Sequence, residues 1–283
     1  MIPNAFEYYR PKTISDALRV LTEQGDEARV IAGGHSLIPL MKLRMAHIGH
    51  LVDLQDIGEL KGVTVGAKIR IGAMTTQYQM ITDTALTAAA PLLKEAALQI
   101  ADPQVRYVGT IGGNVANGDP GNDLPGLMQC LDASYILSGP GGLRTVAARD
   151  FYQGAYVTER ADDEILLAIE FAAPTGGYAY EKQKRKIGDY ATAAAAVQIS
   201  AAGGKVVAAS IAMTNLSDTP VWSQAAGAAL VGTDCGPVAV KAAVAAMLAD
   251  INPSADNRGP VAFKRQVAGV ILSRAIARAW SRT

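Results

Sequence analysis

The chain has 283 residues, enough for a large core and for two or three subdomains. Hydrophobic residues make up 49% and charged residues 18%, and 26 basic residues balance 26 acidic ones at a net charge of 0. That balance gives no support for nucleic-acid binding, which needs a clustered basic face, and no apolar run reaches the roughly 18 residues of a membrane span.

So many buriable residues with so few charges favour a subunit of an assembly over a free monomer. The opening Met1-Ile2-Pro3-Asn4-Ala5-Phe6 lacks the regions of a signal peptide, and a reducing cytoplasm is the simplest home. Two cysteines, Cys130 and Cys235, cannot furnish a four-cysteine iron–sulfur site, so any redox centre here is organic.

In chain order, residues 1–55 read as a small α/β unit. Thr13 or Ser15 caps a helix carrying Ala17, Leu18, Val20 and Leu21, which ends near Gly25. A short strand closes at Val30-Ile31-Ala32, followed by Gly33-Gly34-His35-Ser36-Leu37, a short helix, and a strand at Leu51-Val52-Asp53-Leu54. From 56 to 176 a hairpin turns at Gly66-Ala67-Lys68, and a helix over 86–100 presents Leu92, Leu93, Ala96, Ala97 and Ile100. Pro91 suits a first helical turn, so the helix can also begin there. The motif Thr110-Ile111-Gly112-Gly113-Asn114 follows, then a run of turn formers over 117–123, a hairpin at Gly139-Pro140-Gly141-Gly142 and a strand over 164–169. Pro174-Thr175-Gly176-Gly177 reads as a linker. The third unit, 177–283, begins with a strand over 178–182, pairs two more across Gly203-Gly204, and ends in helices near 223–230, 237–249 and 259–280.

Two paired-glycine motifs carry the functional reading. Gly33 and Gly34, at the carboxyl end of a strand, can take φ > 0 and leave N–H groups to converge on an anion. The motif at 110–114 is of the same kind, so the two read as walls of one phosphate-rich site. Ser36 and Thr110 offer hydroxyls, Asn114 an amide, and Asp123 an acceptor for ribose hydroxyls. Neither GxGxxG nor GxxxxGK[ST] occurs, which removes Rossmann and P-loop sites. No GxSxG elbow supports hydrolase chemistry. His47 and His50 lack further ligands and read as a solvated loop, while His35 hydrogen-bonds its own loop. The run Lys182-Gln183-Lys184-Arg185-Lys186 reads either as a solvated strand edge or as a site in which Lys182 meets phosphate and Tyr190 an aromatic ring. Arg274, Arg278 and Trp280 read as a helix face or subunit contact. An assembly module without cofactor and a stand-alone oxidase are the competing classes; the intact glycine pairs oppose the first, and no readable catalytic base supports the second.

The two glycine motifs resemble the FAD-binding signatures of the flavoprotein subunits of molybdenum hydroxylases, the xanthine dehydrogenase family. Met1-Ile2-Pro3, Ile100-Ala101-Asp102-Pro103-Gln104-Val105-Arg106, Gly118-Asp119-Pro120-Gly121-Asn122-Asp123 and Lys184-Arg185-Lys186-Ile187-Gly188-Asp189-Tyr190-Ala191-Thr192 extend the resemblance along the whole chain. The last two runs are similar to the medium subunits of its aerobic carbon monoxide dehydrogenase branch. The resemblance implies an α+β fold: two subdomains of the vanillyl-alcohol oxidase type embracing FAD, then a three-stranded antiparallel sheet with helices. It implies non-covalent FAD held by Ile31, Ala32, Gly33, Gly34, His35, Ser36 and Leu37 and by Thr110, Ile111, Gly112, Gly113 and Asn114 at the pyrophosphate. Asp123 matches the ribityl or ribose position, Leu166 one beside the adenine, Lys182 one near the flavin end and Tyr190 one against the isoalloxazine. Ile100 stands where relatives can carry an aromatic residue.

The same resemblance implies that molybdenum sits in a large subunit and two 2Fe–2S clusters in a small one, in a dimer of heterotrimers. This chain would then relay electrons to a quinone-type acceptor, with no catalytic residue or metal of its own. A relative acting on an aldehyde, nicotine-type ketone or purine-like heterocycle would carry the same subunit. The implied location is cytoplasmic, with access to the inner membrane face through the complex.

Overall fold

The computed structural model describes residues 2–283. Thr13 caps the helix Ile14–Gln24, its Oγ1 accepting the Asp16 N–H at 3.1 Å, and Gly25 ends it at φ +53°. That helix buries Ala17, Val20 and Leu21 against a parallel three-stranded sheet in the order Glu7–Tyr9, His50–Asp53, Ala28–Ile31. Its core continues into Met74, Ile165 and Leu167, so this unit leans on the next sheet instead of standing apart.

The second sheet is five-stranded and antiparallel, in the order Val63–Thr64, Lys68–Gly72, Ile165–Ala172, Ser134–Gly139, Gly142–Ala147. Ile69, Ile71, Tyr135, Leu137, Ile169 and Phe171 face a layer of short helices. The helix expected over 86–100 is two, Thr84–Ala89 and Pro91–Ala97. Pro91 has no N–H to continue the first helix and forces Ala90 out of helical geometry, to φ −140° and ψ 67°. Three further short helices, Gln77–Thr82, Pro103–Val108 and Asp123–Cys130, complete the layer with Ile111–Ala116.

The third sheet runs Gly177–Gln183, Ala193–Ala202, Lys205–Thr214, antiparallel as expected, with a fourth, two-residue strand Val221–Trp222 at its edge. Alternation sends Ala193, Ala195, Val197 and Ile199 to a core under the helices Gln224–Ala228, Pro237–Asp250 and Val261–Trp280. Ala194 and Ala196 face the opposite core, with Leu124, Leu127 and Met128. Both faces are thus covered, and the small side chains let the layers close. The expected linker 174–177 is not slack: Gly177 starts a strand and lies against the Ala279 carbonyl, where a Cβ could not fit.

Candidate functional site

A cleft of about 670 Å³ opens where the three units meet. Its first wall grows from the strand Ala28–Ile31. Beyond Ile31 the chain turns through Ala32 and Gly33 to Gly34, at φ +74°, before the helix Leu37–Lys42. A Cβ on Gly33 would stand 2.5 Å from the Val108 carbonyl oxygen, so this loop can approach the backbone that leads into the second motif only as glycine. The N–H groups of Gly33, Gly34, His35 and Ser36 have no acceptor among the described residues. Successive unpaired donors on an exposed loop are a cradle for anionic oxygen. His35 and Ser36 are exposed there, with no side-chain partner restraining them.

The second wall differs from a loop. Thr110 is the N-cap of a helix, Ile111–Ala116, and its Oγ1 accepts the Gly113 N–H at 3.0 Å. The N–H groups of Ile111, Gly112 and Asn114 go to the carbonyls of Thr75, Ala73 and Thr110. This motif therefore has no free N–H groups over 111–114; it offers the Thr110 hydroxyl proton and the Asn114 side chain. Ile111 is fully buried in the core, and a Cβ on Gly112 would stand 2.5 Å from that of Ala73. Both pack the helix onto the sheet and lie off the cleft lining. Leu166 is also a core residue, behind the lining, because its strand turns that side chain toward the helix layer.

The other expected residues converge. Ile31, Ala32, Leu37, Ile100, Gly113, Asp123, Lys182 and Tyr190 all line the cleft. Lys182 Nζ lies 2.7 Å from Asp123 Oδ2 and donates to the Gln99 carbonyl at 3.2 Å. Tyr180 donates its hydroxyl proton to the other Asp123 oxygen. Burial pushes the Asp123 carboxyl up, against the pull of the Lys182 ammonium. Lys182, with 1% of its side chain exposed, is thus no part of a solvated edge, whereas Lys186 in the same run is exposed.

Tyr190 lies beside Asp189, which Arg185 and Arg258 bind at 2.8 and 3.4 Å. The Arg258 guanidinium sits 5.5 Å from the centroid of the Tyr190 ring. Burial, then the Asp119 charge, pushes the Tyr190 hydroxyl up to about 12, so the phenol keeps its proton. Of the histidines read as a loop, His50 instead begins a strand, its Nδ1 3.1 Å from the Tyr9 hydroxyl.

Sequence reading missed several lining residues, Gln77 first. Like Asn114, which was expected, Gln77 buries a side-chain oxygen without a protein partner, a debt that a bound ligand can meet. Arg160, deep in the wall, donates to the Glu164 carbonyl at 2.9 Å, and Asp162 lies 3.7 Å from both Arg160 and Arg29. Tyr156 lines the cleft at φ +62°. The charges at 160–162 were a faint signal in so weakly charged a chain; Gln77 and Tyr156 gave none.

Comparison with known proteins decides what cleft this is. The family description "FAD binding domain in molybdopterin dehydrogenase" fits residues 4–174, and "CO dehydrogenase flavoprotein C-terminal domain" fits 178–279. The chain belongs to the FAD-binding medium subunits of the molybdopterin dehydrogenases. It is 56% identical to the carbon monoxide dehydrogenase medium chain of Afipia carboxidovorans, over 100% of this chain and 99% of that one. It is 44% identical to that of Hydrogenophaga pseudoflava, over 100% and 99%. Its fold superposes on a chain of reconstituted CO dehydrogenase from Oligotropha carboxidovorans with a TM-score of 0.98, 56% identity and full coverage of both chains.

The medium subunit binds FAD, and the cleft suits it. An unpaired N–H cradle can take the pyrophosphate, two orphaned amide oxygens await donors, and the volume lies within the roughly 300–1,000 Å³ of cofactor sites. The resemblance seen in the sequence thus holds for family, fold and cofactor.

Proposed function

We propose that this chain is the electron-transfer flavoprotein subunit of an aerobic, molybdenum-containing carbon monoxide dehydrogenase. The full-length 56% identity to a carbon monoxide dehydrogenase medium chain carries the reading. The large subunit oxidises CO with water to CO2, releasing two protons and two electrons, and a small subunit relays the electrons through two 2Fe–2S clusters to this chain. A quinone receives them. Bound FAD supplies a carrier that accepts electrons singly and releases them singly or in pairs.

The chain's own residues bind and orient that carrier. The Gly33–Ser36 N–H groups and the Thr110 hydroxyl hold the pyrophosphate, with Asn114 completing that wall. Asp123, fixed between Tyr180 and Lys182, faces the ribityl or ribose hydroxyls with its remaining lone pairs. Lys182 adds positive charge at the flavin end, Tyr190 packs against the ring and Ile100 bounds it. We assign 1–55 and 56–176 to FAD binding and 177–283 to the C-terminal domain. The assembly is a dimer of heterotrimers. It is cytoplasmic and reaches the inner face of the membrane through the complex; among the described residues no helix is long and apolar enough to cross it.

The test is the purified complex. Acid release should yield FAD, and CO should drive reduction of an artificial dye. A preparation without releasable FAD rejects the flavoprotein role. An FAD-, molybdenum- and iron–sulfur-replete complex that leaves the dye oxidised under CO assigns the subunit to a hydroxylase of another substrate.

A further inference from the structure

Tyr156 is the only aromatic residue among the described residues with φ between +20° and +160°, and it is 62% exposed. A large side chain kept in the left-handed region is a strain that functional sites retain. The strain is locally fixed: the Tyr156 N–H donates to the Gly118 carbonyl at 2.8 Å, at the tip of the small hairpin formed by Tyr152–Gly154 and Val157–Thr158.

The turn it grips, 118–121, carries Asp119 and ends under Tyr190. A Cβ on Gly121 would meet the Tyr190 ring at 2.8 Å and Asp119 Oδ1 at 3.3 Å. Two partly exposed tyrosines thus flank one acidic turn on the cleft wall, and burial, then the Asp119 carboxylate, raises the pKa of both. Asn117, immediately before the turn, lines the cleft with a side-chain amide that no protein group engages among the described residues.

We propose that Tyr156 and Asn117 form the docking site for the quinone that oxidises the reduced cofactor. This rests on the flavoprotein reading above. A quinone is planar and uncharged, with carbonyl oxygens that accept hydrogen bonds. It stacks on the Tyr156 ring and takes a hydrogen bond from the Asn117 amide. A nicotinamide dinucleotide fits poorly: Asp119 repels phosphate, and the Gly118, Gly121 and Asn122 N–H groups are spent on Val115, the Asp119 side chain and the Asp119 carbonyl. Bound reduced FAD would supply the two electrons and two protons with which the docked quinone leaves as the quinol.

The experiment uses the assembled, oxidised complex in equilibrium dialysis against 1,4-naphthoquinone. Tyr156→Gly removes the ring and relieves the backbone, so folding is not put at risk; Asn117→Ala removes the amide. Binding should weaken about tenfold in the first, the scale of one aromatic stack, and about threefold in the second, the scale of one neutral hydrogen bond. FAD content and complex size are measured on the same samples. Unchanged quinone binding in Tyr156→Gly at full FAD content overturns the proposal, as does a wild-type complex that binds no naphthoquinone. Loss of FAD or of a partner subunit in Tyr156→Gly overturns it too, since the ring then serves the cofactor or the assembly. A wild-type complex without FAD defeats the flavoprotein reading instead.

Discussion

Gly34 is held at φ +74°, where a β-branched side chain is badly strained, while the close neighbours of a new Cβ are the flexible tips of Ile38 at 2.6 Å and Ile31 at 3.2 Å. Backbone conformation, more than space, makes it glycine. Gly34→Val should therefore weaken FAD binding by roughly tenfold or more, from about 1–2 kcal/mol of left-handed strain, whereas Gly34→Asn should retain most of it. Acid-released FAD per chain checks both, and equal retention in the two would remove the cradle's dependence on that conformation. Glu164 permits a prediction in pH. Arg144 grips it with two bonds, of 2.6 and 2.7 Å, and holds its carboxyl below the ordinary value of 4.5. A carboxyl lowered on folding stabilises the native state fully above that ordinary value, and the contribution is lost as pH falls through the lowered one. Between pH 7 and 3 the urea midpoint of the wild type should fall further than that of Glu164→Gln; parallel losses would show that the pair is not the source.

The helix Ile111–Ala116 illustrates how an element can carry a motif without presenting it. Its two glycines argue locally for a loop, yet Thr110 caps the turn and Gly112 lets it settle against Ala73. Gly112→Ala should overpack that contact and lower stability by about 1–3 kcal/mol, read in a denaturant titration, by shifting the helix rather than removing a ligand group. What was legible in the sequence was what short-range chemistry dictates. The Thr13 cap, the hairpins at Gly66-Ala67-Lys68 and Gly203-Gly204 and the Pro237 helix start all appear as read. The helix Gln77–Thr82 was readable too, from the capping box of Thr76 and Gln79, and was missed. The break at Ala90 was half visible in Pro91. Most residues of the two motifs line the cleft, but Gln77, Tyr156 and Arg160 line it too and belong to neither motif. They reach the cleft through contacts between distant segments, which no local pattern encodes. Leu166, Ile111 and Gly112 stand behind the lining because local sequence does not say which face of a strand or helix each residue occupies.

At the scale of the molecule, the C-terminal helix is wired to the cleft. Glu95 accepts the Tyr180 N–H at 2.7 Å, Arg278 donates to the Tyr180 carbonyl at 2.8 Å and also pairs with Glu95 and Glu181, and the Tyr180 hydroxyl holds Asp123. Arg278, expected on a helix face or subunit contact, is therefore an internal clamp. Glu95→Ala strips the strand N–H of its acceptor and the Arg278 guanidinium of one of its three, and should cost about 2–3 kcal/mol and reduce FAD content together. Lower stability with full FAD retention would mean that the clamp does not reach the cofactor. The strand Ala193–Ala202 adds a further constraint. Its alternate alanines face two different cores, so it is a party wall with no spare thickness on either side. Neither neighbour can slide or swell without invading the other, and the stretch at 174–177 is too tightly packed to act as a hinge. An electron crossing between subunits is acutely sensitive to the gap it must tunnel. A relay built around such a wall keeps that gap constant once its partners have docked, so turnover should be paced by arrivals and departures at its edges rather than by breathing within it.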